Sequence, residues 1–417
     1  MIKLNGKITD GCNFFGSHNP FHLMDIYGSP LYVYNESILR KRCRELKGLV
    51  NYPHFTVQFS SKSNSNLSVI KIARQEGLWV EATSPGEIYM QLEAGYKPHE
   101  IFYVCNNVSE EDMRYATERG VLVSVDSLSQ LERLGRINTG GHVAVRFNPG
   151  AGDGHHEKVV TAGKNTKFGI SPEDSAQVKE ILKKYQLKMV GINQHIGSLF
   201  MEADNFILSC SNLKEIALQF EDLEFVDLGG GFGIPYRKQQ NQPKLNLEEL
   251  GLKLSDYMFS FSKDYGKDLT FIIEPGRYIT AECGIILGTV QALKYNEDVK
   301  YIGTDIGMNV LARPVMYNAY HDIEVYRKEG SATGKEEKVT VVGNICESGD
   351  ILGKDYVLPE ILEGDCIAVL DAGAYGHVMS SNYNNRMRPA EVLIKEDDSA
   401  VLIRERDTFE DLLRKYK

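Results

Sequence analysis

The feature that most constrains this chain is a regular alternation between residues 55 and 273. Short β-branched and aromatic runs there are separated by stretches with helical periodicity. The runs are 55–60, 79–82, 101–104, 121–125, 142–147, 189–193, 225–228 and 269–273. Helical stretches lie between most of them: Leu67 to Glu76, Pro85 to Leu92, Glu110 to Arg119, Ser127 to Leu134, Pro172 to Tyr185 and Leu247 to Tyr265. Parallel strands need crossover connections, and helices of this length supply them. Eight such units fit a closed (β/α)₈ TIM barrel better than an open doubly wound sheet. From about residue 280 the helical pattern fades, and strands are expected at 288–292, 338–342, 366–370 and 391–394. The reading is α/β: a barrel over 36–279 and a mainly β domain over 280–417. Residues 1–35, with a strand at Leu31-Tyr-Val-Tyr34, join the β domain, so the barrel is inserted within it. Asn35 is a candidate N-cap for a helix running to about residue 49.

Barrels carry their chemistry at the C-terminal ends of the strands, so the residues just past each run are the candidates for function. Lys62 follows the first run in a Ser/Asn-rich turn, as a solvated turn lysine or an amine able to form a Schiff base. His195 and Ser198, in Asn193-Gln-His-Ile-Gly-Ser198, end the sixth run, where an imidazole can stack on an aromatic ligand and a hydroxyl can donate to phosphate. Asp227-Leu-Gly-Gly-Gly-Phe-Gly233 follows the seventh, a plain turn or a loop whose backbone N–H groups meet a phosphate. Glu274-Pro-Gly-Arg277 ends the eighth, so Glu274 sits in a structural salt bridge or pairs with a protonated ring nitrogen.

In the β domain, Arg313 and Tyr317 suit a carboxylate, with a surface ion pair the competing reading. Glu347 suits an ammonium, and Cys346 beside it reads on its own as a buried inert thiol. Adjacent His155 and His156 lack a carboxylate pattern, so no metal is assigned. A Gly- and His-rich loop near 150–165 is a candidate lid. The net charge of −10 argues against nucleic acid or an anionic membrane as the main partner. Seven scattered cysteines without disulfide or metal spacing, and no long apolar run, point to a reducing, cytoplasmic setting.

Ser61-Lys-Ser-Asn64, His195-Ile-Gly-Ser198, Gly229-Gly-Gly231, Glu274-Pro-Gly-Arg277, Cys346-Glu-Ser-Gly-Asp350 and Gly373-Ala-Tyr375 occur in one order. That set resembles the fold-type III PLP-dependent amino-acid decarboxylases, with an alanine racemase-like architecture, and most closely their diaminopimelate-specific branch. The resemblance implies that Lys62 holds pyridoxal 5'-phosphate as a Schiff base, Glu274 meets the pyridine nitrogen and His195 stacks on the ring. It places Ser198, Gly230, Gly231, Gly276, Arg277 and Tyr375 around the phosphate. It places Arg277, Arg313, Tyr317, Glu347 and Tyr375 at the substrate, with Cys346 as proton donor. It further implies a homodimer with shared active sites, in which the Cys346-Glu347 loop comes from the second subunit. The expected reaction is decarboxylation of meso-2,6-diaminopimelate to L-lysine. The alternatives are a decarboxylase of another D-configured centre, such as D-lysine, D-ornithine or a siderophore intermediate, and a non-catalytic PLP-binding regulator. The chain departs from the family at Phe59-Ser-Ser-Lys-Ser-Asn64, where Tyr-Ala-x-Lys-Ala-Asn is common, and at Asn193, where a histidine is common.

Overall fold

The structure is a computed structural model that describes residues 6–150, 166–328 and 335–417. The candidate lid at 150–165 and the His155-His156 pair fall almost wholly outside the described residues. The chain divides into two compact units: Lys41–Ile234 with Lys244–Ile279, and Met1–Arg40 with Pro235–Pro243 and Thr280–Lys417.

The first strand, β1 (Leu31–Asn35), belongs to the second of these units. The other unit is a closed barrel of eight parallel strands: β2 (Phe55–Ser60), β3 (Trp79–Ala82), β4 (Ile101–Val104), β5 (Leu122–Val125), β6 (His142–Arg146), β7 (Lys188–Asn193), β8 (Phe225–Asp227) and β9 (Thr270–Ile273). β9 pairs with β2, Val57 opposite Ile273, which closes the ring. The strands are near-continuous apolar runs because a parallel barrel buries both of their faces.

Local chemistry starts the helices. Asn66, Ser84, Ser109, Ser127 and Asn246 each accept a backbone N–H of the first helical turn, which satisfies a donor the helix cannot. Inside the barrel, Phe225 meets Phe102 edge-on at 5.4 Å. Phe225 also explains Gly191, where an added Cβ would lie 2.0 Å from the ring carbon Cζ.

A helix at Ala203–Ala217 was not among those expected. Its buried Phe206, Cys210, Leu213 and Ala217 do keep helical spacing. Its N-cap, Glu202, makes no side-chain cap bond, and Ser, Asn and Cys dilute the apolar stripe.

In the β unit, β1 lies inside a nine-stranded sheet, antiparallel to β10 (Gly284–Asn296) and parallel to β16 (Ala390–Ile394). β13 (Glu336–Val342) extends the run expected at 338–342, and β15 (Cys366–Val369) ends one residue short of the run expected at 366–370. Four further strands, β11 (Val299–Thr304), β12 (Ile323–Tyr326), β14 (Ile351–Pro359) and β17 (Ala400–Arg404), were not among those expected. β14 reads as a turn because Gly353-Lys-Asp355 interrupts it, yet it pairs with β13 along its length. The core of this unit joins Phe14, Leu31, Val33, Leu287, Tyr326, Ala368 and Val392.

Candidate active site

β2 ends at Ser60, and one 3₁₀ turn, Ser61–Ser63, carries Lys62 off the strand end. Its Nζ donates to both oxygens of Glu81, at 2.6 and 2.8 Å. Glu81, at the end of β3, is 1% exposed. The Ser60 hydroxyl lies 2.6 Å from Glu81 Oε2 and 2.9 Å from the Glu274 carbonyl oxygen, which ties three neighbouring strand ends together. Gln91 donates to the Glu81 carbonyl at 2.8 Å and to Ser61 Oγ at 2.9 Å. Lys62 is therefore held against a carboxylate, as a solvated turn lysine is not.

The loops after β7, β8 and β9 pack backbone to backbone. A Cβ on Gly230 would lie 2.1 Å from the Glu274 carbonyl oxygen, and one on Gly231, whose φ is +105°, would lie 2.6 Å from the Gly197 carbonyl oxygen. The glycines are thus needed first for mutual approach of the loops. Gly230 donates its N–H to His195 Nδ1 at 3.1 Å, so the ring proton belongs on Nε2. Burial, together with the charges of Lys62 and Arg146, pushes the His195 imidazole well below its usual range and keeps it neutral. Arg277, 6% exposed, donates to Ser198 Oγ from Nη2 at 2.8 Å. Gly276 lets the chain pass Ser63, whose Oγ would sit 2.9 Å from an added Cβ.

Glu274 is 3% exposed and Asp227 is fully buried. Burial, then the mutual repulsion of Glu274 with Asp227 and Glu81, raises the Glu274 carboxyl well above the carboxylate range. Burial also pushes Asp227 up, to about 7. Among the described residues no N–H or O–H donor reaches Glu274 Oε1. A buried carboxyl oxygen without a donor is a position that a protonated ring nitrogen fits, and it does not fit the salt-bridge reading of Glu274. Arg146, also buried, faces Glu274, Asp126, Glu81 and Asp227.

Glu81, Ser60, Arg146 and the part played by Asp227 were not read from the sequence. Their common signal is a charged or hydroxyl side chain at the C-terminal end of an otherwise apolar strand. Asn193, the departure from the family histidine, is buried and accepts the Ser124 hydroxyl at 2.6 Å, inside the barrel.

The β unit holds the remaining candidates. Arg313 is 1% exposed, which corrects the surface ion-pair reading. Its Nη1 meets His321 Nε2 at 2.7 Å, His321 Nδ1 meets the Leu370 carbonyl at 2.8 Å, and the guanidinium lies 4.6 Å from the centre of the Tyr236 ring. Because Leu370 offers only an acceptor, His321 Nδ1 carries the proton and Nε2 accepts from Arg313. Tyr317 ends the same short helix, Arg313–Tyr317, and is partly exposed. Cys346 and Glu347 are exposed, not buried as the thiol alone suggested. Their turn is fixed by Asp350, which accepts from Met308 N–H at 2.6 Å and Ile345 N–H at 2.7 Å. Tyr383 donates to Glu347, and Asn384 accepts the Cys346 N–H at 2.8 Å. Tyr375 adopts a left-handed φ of +54°. Among the described residues there is no cluster of His, Cys, Asp and Glu suited to a metal, and no helix is long and apolar enough to cross a membrane.

Residues 36–281 match the family of pyridoxal-dependent decarboxylases over their pyridoxal binding domain. The chain is 40% identical to a diaminopimelate decarboxylase of Methanothermobacter thermautotrophicus, covering 99% of this chain and 96% of that one. It is 32% identical to the diaminopimelate decarboxylase of Escherichia coli K12, over 95% and 96% of the two chains. The fold superimposes on the diaminopimelate decarboxylase of Helicobacter pylori complexed with L-lysine. The TM-score is 0.86 and the identity 30%, over 95% of this chain and 98% of that one.

Proposed function

The chain belongs to the pyridoxal-dependent decarboxylases, in their diaminopimelate decarboxylase branch, and from that premise we propose that it removes CO₂ from meso-2,6-diaminopimelate to leave L-lysine, with pyridoxal 5'-phosphate bound at Lys62. The observation that carries this reading is the pairing of Lys62 and Glu274 at adjoining strand ends. One is an amine held by Glu81, and the other is a buried carboxyl with an oxygen that lacks a donor. When bound, the cofactor supplies an electron sink for the electrons left as CO₂ departs.

The chain's own residues do the rest. Lys62 provides the amine, and Ser60 and Gln91 hold its carboxylate partner Glu81 in place through the side chain and the backbone carbonyl. Glu274 would hold the proton on the ring nitrogen by accepting its N–H, and neutral His195, oriented by Gly230, would offer a flat face to the ring without adding positive charge. Ser198, Gly230, Gly231, Gly276 and Arg277 form the phosphate end, and Arg277 is the cation there. Tyr375 joins that end and, with Arg277, Arg313, Tyr317 and Glu347, contacts substrate. Arg313, held by His321 and Tyr236, suits a distal carboxylate, Glu347 suits the distal ammonium, and Cys346 delivers the proton that replaces CO₂.

The exposed, well-anchored turn at Cys346 and Glu347 supports a homodimer in which each subunit lends this turn to its partner. Seven free thiols support a cytoplasmic setting. Borohydride reduction of the cofactor-loaded protein followed by peptide mapping should mark Lys62, and a label elsewhere would displace it as the anchor. Mixing two inactive variants, Lys62→Ala and Cys346→Ala, should restore about a quarter of parental activity through mixed dimers. No recovery after verified subunit exchange would reject shared sites.

A further inference from the structure

Asp227 opens the glycine-rich loop, yet none of the roles above uses it. It is fully buried, and its Oδ1 accepts the Gly229 N–H at 2.9 Å. Gly229 in turn accepts the Glu274 N–H at 3.0 Å through its carbonyl oxygen. The Asp227 and Glu274 side chains lie within hydrogen-bonding reach of each other. Neither Asp227 Oδ2 nor Glu274 Oε1 has a donor from the protein among the described residues. Two buried carboxylates that face one another can satisfy each other only if one carries a proton. The same carboxyl thus touches the loop assigned to the phosphate end and the acid assigned to the ring nitrogen.

We propose that Asp227 is a positioning residue that accepts a hydrogen bond from protonated Glu274, so that the pair stores one proton for the cofactor's ring nitrogen. This rests on the cofactor reading above. When an unprotonated ring nitrogen arrives, the Glu274 O–H bond breaks as the ring N–H bond forms, and no proton is exchanged with water. Asp227, left ionised beside Glu274, then favours the positive charge on the ring.

The surrounding charges fit this division of labour. Lys62 favours ionisation of both carboxyls, Glu81 opposes it, and Arg146 faces both. His195 on this side stays neutral. Burial raises both carboxyls, so the folded protein binds more protons than the unfolded chain between about pH 4 and about pH 7. The pair therefore stabilises the cofactor-free protein at low pH, and that contribution falls as pH rises through this window. Neutral His195 and His377 give the opposite slope, and comparison with the parent cancels them.

The test compares Asp227→Asn and Glu274→Gln with the parent. In the cofactor-free protein, the melting midpoint of each variant should gain several degrees on the parent between about pH 5 and about pH 7.5. In the loaded protein, the pH midpoint of the bound cofactor's visible absorbance should shift in Asp227→Asn. Its cofactor Kd should rise about tenfold at about pH 8 and change little at about pH 5, where Asp227 is already neutral. If both Asp227→Asn profiles follow the parent, Asp227 only ties the loop and the proposal falls. Should Asp227→Asn not fold, a melting profile for Glu274→Gln that parallels the parent overturns it equally. A parent that binds no cofactor would refute the cofactor reading, while the melting profiles still judge the carboxyl pair.

Discussion

Replacing Gly230 by alanine probes how the loop after β8 and the end of β9 depend on each other. The added methyl carbon would lie 2.1 Å from the Glu274 carbonyl oxygen, 3.0 Å from its carbonyl carbon and 3.3 Å from His195 Cε1. Ordinary contact begins near 3.4 Å, so the two backbones must part by roughly 1 Å. Neither yields freely, because the Glu274 N–H is bonded to Gly229, the Ser60 hydroxyl sits 2.9 Å from the Glu274 carbonyl, and Gly230 donates to His195. Overpacking of this kind costs about 1–3 kcal/mol. For a protein of this size that is a loss of about one to three degrees in melting midpoint. Moving Glu274 and His195 together should also weaken cofactor binding at least about tenfold. The assays are thermal melting of the cofactor-free protein and equilibrium dialysis of pyridoxal 5'-phosphate. Gly86→Ala serves as the control, since its nearest foreign atom, Ser84 Oγ, is 3.7 Å away. A Gly230→Ala protein that melts and binds like Gly86→Ala would refute the packing argument.

Other predictions concern single contacts. Glu81→Gln keeps the shape but removes the charge that faces Lys62. The Lys62 side chain is 33% exposed, so the loss should be near 1–2 kcal/mol rather than the larger cost of a fully buried pair, read as about a tenfold or somewhat greater drop in kcat/KM. An unchanged kcat/KM would deny Glu81 any part in holding the amine. Arg313→Lys loses the planar fork over Tyr236 and the bond to His321, and should raise KM for diaminopimelate about tenfold or more while leaving the cofactor Kd unchanged. An equal rise in both constants would place Arg313 in general folding rather than in substrate binding. For His377, burial pulls the imidazole down to about 3, so its neutral form stabilises the folded protein above about pH 6.5 and that contribution is lost as pH falls. His377→Phe should therefore lose less melting temperature than the parent between about pH 7 and about pH 5. A parallel loss would contradict the assignment.

The barrel was legible because its strands are short apolar runs and the helices after β2, β3, β4, β5 and β8 each begin with a capping Ser or Asn. The helix at Ala203–Ala217 escaped notice since it lacks that cap, and β14 did so because Gly353-Lys-Asp355 imitates a turn while the neighbouring strand supplies the pairing. Pairing partners lie far apart in sequence, and no local pattern reports them. In the site, Lys62, His195 and Glu274 were found as lone functional groups past strand ends. Glu81 and Asp227 stand within their strands, where a charge looks like an irregularity until the barrel closes and brings the strand ends together. Burial was the least legible property. Arg313 is sunk against Tyr236 and His321, and Cys346 is exposed, each the reverse of what its residue type suggests in isolation.

The most direct measurement is CO₂ release by the cofactor-loaded protein, with meso-2,6-diaminopimelate, D-lysine, D-ornithine and L-lysine at equal concentration and Lys62→Ala as the control. Turnover of diaminopimelate alone, with L-lysine as product and none from the control, is the predicted result. Preferential turnover of another amine would contradict the substrate, and cofactor binding without any CO₂ release would point to a regulatory pyridoxal-binding protein instead.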